Sequence, residues 1–124
     1  MINKDPLSDQ VIGLAIEVHR ELGPGLLESA YEQCLCYEFA NANVAFEKQV
    51  PIGIDYKDMK LDCGFRADLI VDGKLLIELK AVERILPIHE AQLLTYMKLS
   101  KIRRGLILNF NTKVLKDGIK RMVL

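Results

Sequence analysis

The chain has 124 residues, half of them apolar, with 17 basic and 17 acidic side chains, so its formal net charge is zero. That is the length of one domain with enough apolar material for a core, which excludes intrinsic disorder. The apolar runs are too short to span a bilayer, and the charge balance by itself gives no support for nucleic-acid binding.

A single domain over residues 1–124 is expected. The start, Met1-Ile2-Asn3-Lys4, lacks the apolar core of a signal peptide, so a soluble cytoplasmic protein with no membrane partner is the expectation. Three cysteines, Cys34, Cys36 and Cys63, are an odd number and argue against a disulfide framework. Cys34 and Cys36 are two apart and diverge on a helix, so buried or half-buried free thiols are expected.

Residues 8–22 read as a helix with Ser8 as N-cap and Val11, Ile12, Ala15, Ile16, Val18 and Leu22 as its apolar stripe, stopped by Gly23-Pro24-Gly25. His19 near its end reads as a surface or packing residue. A second helix spans about 26–40, with Leu27, Ala30, Tyr31, Cys34, Leu35 and Phe39 available for the core. Glu28 in its first turn is either a carboxylate favouring the helix N-terminus or an inward group sharing a face with Tyr31.

Residues 44–56 change to extended structure, with Pro51 suited to an edge or bulge. Residues 57–60 read as a hairpin turn leading to a short strand near Leu61. Two apolar strands follow, joined at Asp72-Gly73. Phe65, Ala67, Leu69 and Val71 alternate with Arg66, Asp68 and Ile70, and Leu75, Ile77 and Leu79 with Leu76, Glu78 and Lys80. Charges inside core strands are costly unless paired, neutralised or metal-bound, which singles out Asp68, Glu78 and Lys80. A plain two-residue loop would put Asp68 opposite Ile77, on the face away from Glu78. An odd-length turn or a bulge at Gly73 puts Asp68 and Glu78 together and aligns the apolar faces, so that turn is predicted.

Pro87 starts a helix to about Ser100 that carries His89, Gln92 and Tyr96, the last two facing one way. Residues 104–110 read as a buried strand and the tail from Lys113 as a short edge strand. The order gives an α/β or α+β domain with a mixed sheet. Charge is uneven along it: residues 1–64 hold five Lys/Arg against eleven Asp/Glu, and residues 98–124 hold eight against one. Lys98, Lys101, Arg103, Arg104, Lys113, Lys116, Lys120 and Arg121 could neutralise phosphates or form a solvated face balancing the acidic helices.

Asp68 with Glu78-Leu79-Lys80 has the spacing of the PD-(D/E)xK nuclease signature. Two carboxylates on neighbouring strands can hold a divalent ion through oxygen, and a lysine on the same face can orient or deprotonate water. The pattern alone recurs by chance, but the flanking sequence is more specific. G-L-L-E-S-A-Y at 25–31, inside V-I-G-L-A-I-E-V-H-R-E-L-G-P-G-L-L-E-S-A-Y, resembles the GxxExxY family of that superfamily. So do F-R-A-D-L-I-V, I-E-L-K-A-V, P-I-H-E-A-Q-L-L-T-Y-M-K-L and G-L-I-L-N-F.

The resemblance implies a PD-(D/E)XK restriction-endonuclease-like core, a mixed β-sheet flanked by helices, and a nuclease dependent on Mg²⁺ or Mn²⁺. It makes Glu28, Asp68, Glu78, Lys80 and Gln92 the catalytic set. Asp68, Glu78 and the Leu79 backbone carbonyl become metal ligands, with Glu28 at a second ion and His89 at the rim. Ala67 replaces the proline of the superfamily name. Nucleic acid, with DNA expected, would be held through the basic C-terminal third, and a homodimer is compatible with so small a domain. The alternatives are a catalytically silent nucleic-acid-binding module of a larger complex and a nucleotide binder using the same carboxylates. Endo- or exonuclease action, DNA or RNA and the biological pathway are left open by the sequence.

Overall fold

A computed structural model describes residues 5–124; Met1 to Lys4, read above for a leader, lie outside the described residues. Among the described residues no helix is long and apolar enough to cross a membrane. They form α1 (Pro6–Leu22), α2 (Glu28–Asn41), β1 (Phe46–Pro51), β2 (Ile54–Tyr56), β3 (Met59–Leu61), β4 (Arg66–Val71), β5 (Leu75–Lys80), α3 (Pro87–Ser100), β6 (Arg104–Asn109), a 3-10 turn (Leu115–Gly118) and β7 (Ile119–Val123). This is the mixed α+β architecture expected from the order of elements.

Strands β1-β4-β5-β6-β7 make one sheet, and β2 and β3 a separate hairpin. Only β5 and β6 run parallel in the five-stranded sheet, and α3 supplies the crossover such a pair requires. The central strands are buried on both faces, so they read as nearly continuous apolar runs. On one side Val11, Ala15, Tyr31, Leu35 and Phe39 of α1 and α2 meet Leu69, Ile77, Leu79, Leu106 and Leu108. On the other, Leu93, Tyr96 and Met97 of α3 meet Ile70, Leu76 and Ile107. Helix α3 lies close on the sheet at Gly105, where a Cβ would stand 2.6 Å from the Met97 sulfur.

Several sequence expectations shift. Helix α1 starts at Pro6, two residues before Ser8, because proline suits the first helical position. Ser8 is a buried first-turn residue whose hydroxyl donates to Asp5 Oδ2. Helix α2 begins at Glu28, and Leu27 is exposed instead of core-facing. Phe65 lies outside β4 with its ring 6.0 Å from Tyr96 of α3, and Ala67 packs with the α3-side cluster, so the apolar face shared with α1 and α2 ends at Leu69. Pro51 does end an edge strand. The turn of the small hairpin is Lys57-Asp58 alone, since Met59 already pairs with Tyr56. The tail forms its edge strand only from Ile119. His19 is a packing residue, its Nε2 2.8 Å from the Thr112 carbonyl. Cys34 and Cys36 are half-buried free thiols, but Cys63 is exposed.

Candidate active site

The turn between β4 and β5 sets the site. Asp72 and Gly73 have φ of 53° and 64°, and the Lys74 N–H donates to the Val71 carbonyl at 2.9 Å. Positive φ at both central residues has the hand of a type I′ turn. Yet Val71 pairs with Leu75, not Lys74, so Lys74 is the odd residue of a three-residue loop. The pairing continues through Ile70 with Leu76 and Leu69 with Ile77. Asp68 is therefore opposite Glu78, as the apolar pattern required.

Beyond Leu69 the strands exchange side-chain bonds in place of a backbone ladder. The Asp68 N–H donates to Glu78 Oε2 at 3.0 Å, and the Leu79 N–H donates to Asp68 Oδ2 at 2.8 Å. Each carboxylate thus caps the other strand and keeps one oxygen outside that exchange, Asp68 Oδ1 and Glu78 Oε1.

Glu78 is 7% exposed. Burial, then the nearby negative charge of Asp68, pushes its carboxyl up to about 7, against the opposing effects of the Asp68 N–H and the Lys80 charge. Among the described residues no ion pair within 4.0 Å includes Asp68, Glu78 or Lys80. A structural salt bridge therefore does not account for these charges in the sheet. Lys80, half-buried, follows Glu78 by two residues and shares its face.

Glu28 reaches the same end of β5, where its Oε2 accepts the Ala81 N–H at 3.3 Å, and its charge adds to the upward push on Glu78. Tyr31 fixes the approach to this helix start. Its hydroxyl donates to the Gly23 carbonyl at 2.6 Å and accepts the Leu26 N–H at 3.1 Å, while its ring stacks on Phe110 at 4.4 Å. The Glu of the G-x-x-E-x-x-Y stretch thus reaches the charged end of β5, and its Tyr shapes the loop before the helix. Asn109, which the sequence reading passed over, is buried and clamps both backbone groups of Val82, just past Lys80. A polar side chain ending an apolar strand was its sequence signal.

Gln92 and Tyr96 come together on α3, with the Gln92 amide donating to the Tyr96 hydroxyl at 3.3 Å. Tyr96 has its hydroxyl pKa raised by burial first and then by the Glu78 and Asp68 charges, which places this pair by the carboxylates. His89 accepts the Leu86 N–H on Nδ1 at 3.0 Å and so caps α3. Two residues not expected from sequence also join. Gln49 of β1 donates to Glu32 Oε1 at 2.7 Å and contacts Asp68 Oδ1 at 3.4 Å.

The basic C-terminal third does not gather on one surface. Lys101, Arg103 and Arg104 line a hollow of about 650 Å³ with Asp72 and Lys74, at the turn end of β5 and away from Glu78. Arg104 pairs with Asp5, Lys120 with Glu90 and Arg121 with Asp9. Lys120 stands opposite Ile107, which is itself level with Glu78.

Among the described residues no three His, Cys, Asp or Glu side chains converge as a ready metal cluster. The donor set nevertheless fits a hard cation: a like-charged carboxylate pair, Glu78 buried and Asp68 half-buried, with Glu78 Oε1 left over, Asp68 Oδ1 touched by Gln49 alone at 3.4 Å, and no counter-ion within 4.0 Å among the described residues. A family model described as the PD-(D/E)XK nuclease superfamily matches residues 5–122. Neither a curated protein nor a solved structure gives a match.

Proposed function

The chain belongs to the PD-(D/E)XK nuclease superfamily, and from that premise we propose that it is a metal-dependent nuclease of the GxxExxY branch that hydrolyses phosphodiester bonds, with DNA the expected substrate. One observation carries this reading. Asp68 and Glu78 bind each other's strand and leave one oxygen apiece outside that exchange, Asp68 Oδ1 with only a long 3.4 Å contact from Gln49, in a place where two negative charges without a cation are unfavourable.

Mg²⁺ or Mn²⁺ would be held by Asp68, Glu78 and the Leu79 carbonyl, with Glu28 at a second ion. The Leu79 N–H points toward β4, where it meets Asp68, whereas the Lys80 carbonyl points toward β6 and accepts the Phe110 N–H. N–H and C=O of one strand residue face the same side, and those of its neighbour the other. The Leu79 carbonyl therefore faces the carboxylates. When bound, the ion supplies Lewis-acid chemistry: it polarises the phosphate and lowers the pKa of water.

The chain's own groups do the rest. Lys80 orients the attacking water, as a neutral amine taking its proton or as an ammonium offsetting charge at the phosphate. Gln92 and Tyr96 offer an amide and a hydroxyl to the substrate from the α3 side. Lys120 is the member of the basic third placed level with Glu78; the others contribute through a longer-range field that salt screens.

The test is calorimetric Mn²⁺ binding together with cleavage of single- and double-stranded DNA and RNA. Binding and metal-dependent cleavage are expected, with both lost in Glu78→Ala and cleavage alone lost in Lys80→Ala. A protein that binds no Mn²⁺ and cuts nothing, with both variants unchanged, would overturn the reading. The second reading is a nucleic-acid-binding module without catalysis. Metal binding and salt-sensitive DNA affinity without cleavage would select it.

A further inference from the structure

We propose that Gln49 is a positioning residue of the carboxylate site, holding Asp68 for metal through an amide bridge from Glu32; this rests on the metal-site reading above. Its backbone and its side chain support this independently. Strand β1 pairs with β4 through Glu47 with Ile70, Lys48 with Leu69, and Val50 with Ala67. By that count Gln49 stands opposite Asp68, yet it is skipped in the pairing and its φ is 51°. Left-handed backbone is unfavourable for a residue with a Cβ, and glutamine has no local bond that relieves it. Such strain persists where the surrounding structure holds it, commonly beside functional groups.

What the distortion brings is the amide. Gln49 Nε2 lies 2.7 Å from Glu32 Oε1 and 3.4 Å from Asp68 Oδ1. An amide nitrogen has two protons, so it can serve both carboxylates at once and separate their charges. Asp68 is thereby held at both oxygens, Oδ2 by the Leu79 N–H and Oδ1 by Gln49. Glu32 follows Glu28 by one helical turn on the same face of α2, so the bridge also ties the edge strand to the helix that carries Glu28. A partner that orients a ligating carboxylate typically changes metal affinity by about 10- to 100-fold when removed.

Two variants separate this role from a merely structural one. Gln49→Gly removes the amide and relieves the backbone, whereas Gln49→Met removes the amide at similar length and keeps the strained φ. Each is compared with wild type for thermal unfolding without metal and for Mn²⁺ affinity by calorimetry without substrate. The expected result is that Gln49→Gly unfolds at the wild-type temperature or above, while both variants bind Mn²⁺ at least about tenfold more weakly. Wild type that binds Mn²⁺, with both variants within twofold of it, overturns the role of Gln49 and leaves the metal site standing. Wild type that binds no Mn²⁺ overturns the metal site, and this inference with it.

Discussion

Glu78 is held where the neutral carboxyl is favoured over the charged one. Its carboxyl is raised from the ordinary 4.5 to about 7 by burial and by Asp68. The folded chain therefore binds a proton more tightly than the unfolded chain, and stability falls as pH rises from about 4.5 through about 7. One pKa unit is about 1.4 kcal/mol, so metal-free protein should lose on the order of 2–3 kcal/mol between pH 5 and pH 8. Urea unfolding at the two pH values measures it. Glu78→Gln, which keeps an oxygen for the Asp68 N–H, should unfold at a higher temperature than wild type at pH 8 without metal, and should bind no Mn²⁺. A lower unfolding temperature for that variant would mean the charge is already compensated. Lys80 is different, because it makes no ion pair within 4.0 Å among the described residues. Lys80→Ala should keep the fold and Mn²⁺ binding and slow cleavage by about 10²- to 10⁴-fold, read by single-turnover kinetics.

At the scale of elements, the site depends on a hairpin register and on the Asn109 clamp. Deleting Lys74 leaves Asp72-Gly73 as a two-residue loop and still sets Val71 against Leu75, so Asp68 stays opposite Glu78. Its exposed contact with Asp72 at 3.7 Å contributes little. The deletion should therefore retain Mn²⁺ affinity, and a folded deletion protein that binds no Mn²⁺ would show that Lys74 does more than set length. Asn109→Ala orphans the N–H of Val82 beside the site and leaves its C=O only the Asn111 amide at 3.4 Å. It should cost about 1–3 kcal/mol in urea unfolding, the cost of one unsatisfied buried group.

For the whole molecule, the sheet gathers the carboxylates at one end while much of the basic third lies elsewhere. Were all eight cations to neutralise phosphates, the log-log salt dependence of duplex affinity would have a slope of about −7. With Arg104, Lys120 and Arg121 engaged by acids and Lys101 and Arg103 beside Arg104 at the far hollow, a distinctly shallower slope is expected in a salt titration of DNA binding. A slope of −7 or steeper would show the whole segment acting together.

The sequence by itself determined the strands and helices and the odd-length hairpin turn, and it singled out Asp68, Glu78 and Lys80 as candidates for chemistry. It could do so because alternation and helical spacing are local, and a charge inside an apolar run is conspicuous. Gln49 and Glu32 were not legible in that way, and Asn109 showed only as a polar end to an apolar strand. Their partners are 17 to 27 residues distant, and a polar residue in an edge strand or on a half-exposed helix face carries no local mark. The tertiary structure alone decided that Phe65 turns to α3, that the basic third divides between the ends of the sheet, and that β4 and β5 exchange side-chain bonds beyond Leu69. The first two follow from how elements far apart in the chain pack, and the third from side chains replacing a ladder between neighbouring strands, none of which spacing along one strand specifies.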